Sequence, residues 1–175
     1  MAGGIILYPT DTIWGIGCDA TNMEAVQLIY DVKQRDDSKS MLVLVNGVKM
    51  LKEYLHAFPP QALELIARAE KPTTIIYPGA RKLASNLLAN DGSMGIRITS
   101  DPFCQSLIEF SGKPIVSTSA NISGEPSPAL FSEILPHIRQ QVDHVVNRRQ
   151  DETEPSSPSA IIKLEAGGGM TILRP

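Results

Sequence analysis

Residues able to do chemistry concentrate in three stretches of the 175-residue chain. In the first, the apolar run Ile115-Val116 opens into Ser117-Thr118-Ser119-Ala120-Asn121-Ile122-Ser123-Gly124-Glu125-Pro126-Ser127. Small hydroxyl and amide side chains at a strand end leave backbone N–H groups approachable and add donors, which suits phosphates or carboxylates. The same composition also makes an ordinary turn. The second stretch, Lys33-Gln34-Arg35 with Lys39 nearby, gathers cations in one loop, and an arginine can grip two phosphate oxygens at once. Its plainer reading is a solvated helix end. The third is Arg97 in Met94-Gly95-Ile96-Arg97-Ile98. Facing inward, it needs a buried anion and would clamp a carboxylate; facing outward, it is a polar position of an alternating strand.

Other chemistries are disfavoured. Ser111-Gly112-Lys113-Pro114 has proline where a phosphate-binding loop needs Ser or Thr for magnesium, and Gly167-Gly168-Gly169 precedes a strand rather than a helix. His56, His137 and His144 lie away from the hydroxyl loop, which argues against a Ser-His-Asp triad. Cys18 and Cys104 are the only cysteines and have no histidine at ligand spacing, so a reduced, cytoplasmic setting is expected and no metal ligands are assigned. No window approaches the ~20 apolar residues of a membrane span, so no membrane association is expected. A net charge of −3 disfavours a broad basic face, so any RNA contact would be local.

These stretches must be positioned by alternating strands and helices. Ile5 to Tyr8 reads as a buried strand feeding the polar loop Thr10 to Gly15, and Asn22 caps a helix whose last turn holds Lys33. Met41 to Val45, Thr73 to Tyr77, Met94 to Ile98 and Ile115 onward read as strands. Asp101-Pro102 starts a helix that Gly112 closes. Helical pieces near residues 131–141 precede a strand at Val142 to Val146 and an irregular, mobile polar connection from Asn147 to Pro158. Ser159 to Leu164 and Met170 to Arg174 then form a closing hairpin. A single α/β domain over residues 1–175 is expected, with a twisted mixed (parallel and antiparallel) open sheet, flanking helices and a concave cleft.

Together, Tyr8-Pro9-Thr10-Asp11-Thr12-x-Trp14-Gly15-x-Gly17, Lys33-x-Arg35, Gly95-x-Arg97, Ser117-Thr118-Ser119-Ala120-Asn121-x-Ser123-Gly124-x-Pro126-Ser127 and Ile172-Leu173-Arg174-Pro175 closely resemble the YrdC-like threonylcarbamoyl-AMP synthase family. The resemblance implies an enzyme that makes threonylcarbamoyl-adenylate from L-threonine, bicarbonate or CO2, and ATP, with Mg2+ on the phosphates. The adenylate would pass to a threonylcarbamoyl transferase complex that modifies tRNA. By the same resemblance, Arg35, Ser93, Ser119, Asn121, Ser127 and Arg174 surround ATP, with Lys33 and Lys39 near its phosphates. Thr12, Arg97, Ser117 and Ser159 surround threonine, and catalysis rests on Lys33, Arg35, Ser119 and Asn121.

The sequence departs from that family's pattern at Asp36, Lys39-Ser40 and Leu44. Leu44 stands where a histidine often helps bind threonine, which raises the alternative of a related enzyme acting on another amine. A further alternative is a tRNA or double-stranded RNA binding module that uses the basic residues around Lys33 to Lys39.

Overall fold

The computed structural model describes residues 3–35, 41–165 and 167–175, so Asp36, Lys39 and Ser40 lie outside the described residues. Nine described strands form one sheet: β1 (Ile6–Tyr8), β2 (Gly15–Gly17), β3 (Leu42–Val45), β4 (Thr73–Tyr77), β5 (Met94–Ile98), β6 (Ile115–Ser119), β7 (His144–Val145), β8 (Ala160–Leu164) and β9 (Met170–Arg174). Their spatial order is β7-β1-β2-β6-β3-β5-β4-β8-β9. The β1/β7, β3/β5 and β4/β8 pairs are parallel and the others antiparallel, giving the mixed sheet expected. The helices are α1 (Met23–Lys33), α2 (Val48–Glu53), α3 (Gln61–Arg68), α4 (Pro102–Ser111) and α5 (Pro136–Gln141).

Local signals set the two helices that matter most to the site. The Asn22 side chain accepts from the Ala25 N–H at the start of α1, and Ala25, Val26, Ile29 and Tyr30 form its buried stripe. Asp101 caps α4 by accepting from the Cys104 N–H, Pro102 occupies the first turn, and Gly112 ends the helix at φ 64°.

One strand, β2, escapes the sequence reading because Gly15-Ile16-Gly17 carries little strand propensity. It nonetheless lies buried between β1 and β6. Its glycines are required by closeness: a Cβ on Gly17 would stand 2.3 Å from the Val116 carbonyl oxygen and 2.6 Å from the Tyr8 ring. The Tyr8 hydroxyl donates to that same carbonyl at 3.0 Å, which holds the ring across the glycine. The strand expected over residues 142–146 is shorter, with only His144–Val145 in the ladder.

Alternation along the strands separates two faces. Leu7, Ile16, Val43, Val45, Ile75, Tyr77, Ile96 and Val116 join the large core with residues of α1, α2 and α3. On the other face, Tyr8, Leu44 and Ile115 pack with Cys104 and Ile108 of α4 in a smaller core. Beyond that small core the face turns polar and concave. Leu44 is fully buried in it and does not line the cleft.

Candidate active site

The concave face holds a cavity of about 270 Å³. Strand alternation aims Thr74 and Ile76 of β4, Gly95 and Arg97 of β5, and Ser117 and Ser119 of β6 into it. Thr12 and Trp14 enter from the β1–β2 loop, Ser159 from the segment before β8, and Arg174 from the end of β9. Arg35, just past α1, and Ser127 complete the rim.

The two ends differ in character. Thr12, Thr74, Arg97, Ser117 and Ser159 are all buried, making a closed end rich in hydroxyls around one guanidinium. The Thr74 and Ser159 hydroxyls are 2.8 Å apart, and Arg174 donates through Nε to the Ser159 carbonyl at 2.7 Å. Arg97 donates to Asp11 through Nη1 and to the Thr12 hydroxyl through Nη2 at 3.2 Å, while its buried Nε–H has no partner. A buried donor left unpaired carries a desolvation cost. The more open end carries Arg35, Arg174, Ser119 and Ser127; burial lowers the pKa of both guanidiniums somewhat from the usual arginine value.

Of the residues expected at the site, Thr12, Arg35, Arg97, Ser117, Ser119, Ser127, Ser159 and Arg174 come together around this cavity. Three do not line it. Lys33 is fully buried beneath the hydroxyl loop, where its ammonium donates to the carbonyls of Ser119 and Asn121. Burial first, and Arg35 second, pull its pKa down to about 7. The Asn121 side chain is turned into its own loop, donating to the carbonyls of Ile122 at 3.0 Å and Glu125 at 2.7 Å. Ser93 closes the turn before β5, its N–H on Asp91 Oδ1 at 2.9 Å and its carbonyl accepting from Ala89. Lys39 is outside the described residues.

Sequence reasoning missed Thr74, Trp14 and Asp11 as parts of this site. Thr74 is signalled only by its place in an alternating strand, and which face points to the cleft is decided by sheet pairing. His56, His137 and His144 are exposed and do not line the cavity.

The Sua5/YciO/YrdC family model, described as telomere recombination, matches residues 1–175. A threonylcarbamoyl-AMP synthase of Vibrio parahaemolyticus serotype O3:K6 is 33% identical over 155 residues, covering 86% of this chain and 82% of that protein. One from Marinobacter nauticus is 29% identical over 175 residues, covering 95% and 88%. The crystal structure of P. abyssi Sua5 complexed with L-threonine shares the fold, with a TM-score of 0.83 at 24% identity over 99% of this chain. This chain spans 51% of that one.

Proposed function

The chain belongs to the Sua5/YciO/YrdC family, and from that premise we propose that it is an L-threonylcarbamoyladenylate synthase, joining L-threonine, bicarbonate or CO2, and ATP with release of pyrophosphate. The observation that carries this reading is the joining, in one cavity, of a closed end built from hydroxyls around Arg97 to an open end bearing Arg35 and Arg174. The first has the chemistry for a small hydroxy amino acid and the second for a polyphosphate.

The threonine carboxylate pairs with the Arg97 guanidinium, and the hydroxyls of Thr12, Ser117 and Ser159 serve its amine and side chain. ATP lies along Arg35, Ser119, Ser127 and Arg174. The neutral amine nitrogen captures CO2 and gives up a proton to water to form a carbamate, whose oxygen attacks the α-phosphorus as the bond to the pyrophosphate oxygen breaks. No protein nucleophile is required, and catalysis consists of placing reactants and stabilising charge. Lys33 and Asn121 act from beneath by holding the Ser119 loop. Magnesium would be held chiefly by the oxygens of the triphosphate itself, with the hydroxyls that line the cleft as the protein's neutral oxygen donors. When bound, it would draw charge from the phosphate oxygens. The adenylate would pass to a transferase that modifies tRNA.

The RNA-binding alternative loses one of its cations, since Lys33 is buried. The reading is tested with carbon-labelled bicarbonate: label is expected in a threonine-containing adenylate only when ATP and threonine are both present, with matching pyrophosphate release. Equal pyrophosphate release with another amino acid would overturn the substrate assignment. Salt-sensitive RNA binding without ATP turnover would overturn the enzyme assignment.

A further inference from the structure

Arg97 heads the largest fully buried side chains, and its charge is met by a residue from a distant part of the chain. Asp11, on the loop between β1 and β2, accepts from Arg97 Nη1 through Oδ1. Its other oxygen, Oδ2, accepts from the Ser100 N–H at 3.1 Å and the Ser100 hydroxyl at 3.3 Å. The carboxylate is thus fixed at both oxygens, bridging the guanidinium and the turn that follows β5.

The neighbouring hydroxyls are ordered as well. The Thr10 hydroxyl donates to the Ile13 carbonyl at 2.9 Å and accepts from the Thr12 N–H at 3.0 Å. With its single proton engaged, Thr10 must be the acceptor in its 2.9 Å contact with the Thr12 hydroxyl. Thr12 Oγ1 therefore turns lone pairs toward Arg97 Nη2. Each Nη donates one bond, and Nε is the guanidinium nitrogen with no acceptor at all.

We propose that Asp11 is a positioning residue for the amino-acid substrate: it fixes the Arg97 guanidinium at the closed end of the cavity, in place for the incoming carboxylate. The inference rests on the reading of Arg97 as the carboxylate site. A buried guanidinium without a counter-charge is costly enough to swing toward water, so Asp11 is what keeps it in the closed end. Displacing a binding group by ~1 Å can cost ~100-fold in rate. A role in charge balance alone would act the other way, because removing the Asp11 charge would strengthen attraction for the substrate carboxylate.

The opposite signs make the test decisive. Asp11→Asn is expected to raise the threonine concentration for half-maximal rate at least ~10-fold while that for ATP stays within about twofold. Asp11→Glu keeps the charge, displaces the carboxylate by one methylene, and is expected to raise threonine half-saturation in the same direction. Combined with Arg97→Ala, neither substitution should add a further change, since the effect travels through Arg97. A fall or no change in threonine half-saturation for both Asp11 variants overturns the proposal, as does an equal loss in the Arg97→Ala background, which marks a general structural defect. If Arg97→Ala itself leaves threonine half-saturation unchanged, the carboxylate site has been misplaced, an outcome distinct from failure at Asp11 alone. Should Asp11→Asn not fold, Asp11→Glu decides.

Discussion

Lys33 and Asn121, one at the end of α1 and the other after β6, are joined through a single ammonium: Lys33 Nζ donates to the Asn121 carbonyl at 2.7 Å and to Asn121 Oδ1 at 3.3 Å. The Ser119 carbonyl is a further acceptor, and the Ser123 N–H returns a 2.8 Å bond to the Lys33 carbonyl. The loop that carries Ser119 into the cleft is therefore clipped to the helix in both directions. Lys33→Met fills similar space and leaves these acceptors unsatisfied, at a cost of about 1–3 kcal/mol in denaturant unfolding. Turnover is expected to fall further than stability accounts for, with threonine affinity little changed. Full activity in a well-folded Lys33→Met protein would disprove the clip.

The same lysine gives the protein a pH signature. Its pKa of about 7 lies below the ordinary 10.5, chiefly through burial. Between these values the unfolded chain holds a proton that the folded chain has released, so stability rises with pH across this window. Below about pH 7 both states are protonated and the full burial cost is present. The melting temperature of the unmodified protein should therefore gain on that of Lys33→Met from pH 7 to pH 9. Parallel curves would show that the ammonium titrates normally.

Arg35 lines the open end of the cleft. Arg35→Ala is expected to weaken ATP binding by about 1.5–3 kcal/mol, the range for hydrogen bonds to a charged group, without altering the fold. Calorimetry with ATP provides the measurement. Unchanged affinity removes Arg35 from the nucleotide site.

Gly17 and Gly47 should respond very differently to the same substitution. A Cβ on Gly17 meets the Val116 carbonyl oxygen and the Tyr8 ring, whereas one on Gly47, at an extended φ of 170°, meets nothing within 4 Å. Gly17→Ala is expected to destabilise by about 3 kcal/mol, and Gly47→Ala by well under ~1 kcal/mol. Comparable midpoints in urea for the two variants would contradict the close packing of β2 on β6.

At Leu44, introducing histidine tests packing against substrate recognition. The position is buried among Tyr8, Cys104, Ile108 and Ile115, so Leu44→His should cost about 1–3 kcal/mol of stability and leave threonine half-saturation unimproved. A lower threonine requirement in a stable variant would place residue 44 in the site.

The sequence by itself determined the elements whose signals are local. Asn22 and Asp101 mark helix starts with side chains that accept from N–H groups three residues on, and Gly112 marks an end because it alone tolerates φ 64° cheaply. The β-branched runs at residues 73–77 and 115–116 declare strands in the same way. The hydroxyl loop, Arg97 and Arg35 were also legible as chemistry, because their residue types limit what they can bind. Tertiary structure decided everything that depends on pairing. The glycine-bearing β2 is a strand only because β1 and β6 lie on either side of it, so propensity could not announce it. Lys33, a basic residue at a helix end, looks solvated or phosphate-facing until the end of β6 and the loop after it bring two carbonyls over it. Leu44 faces the same side of the sheet as Arg97, its partner in the ladder, yet α4 covers one and leaves the other to the cleft. The Asp11–Arg97 pair joins residues 86 positions apart, a separation that only sheet order closes.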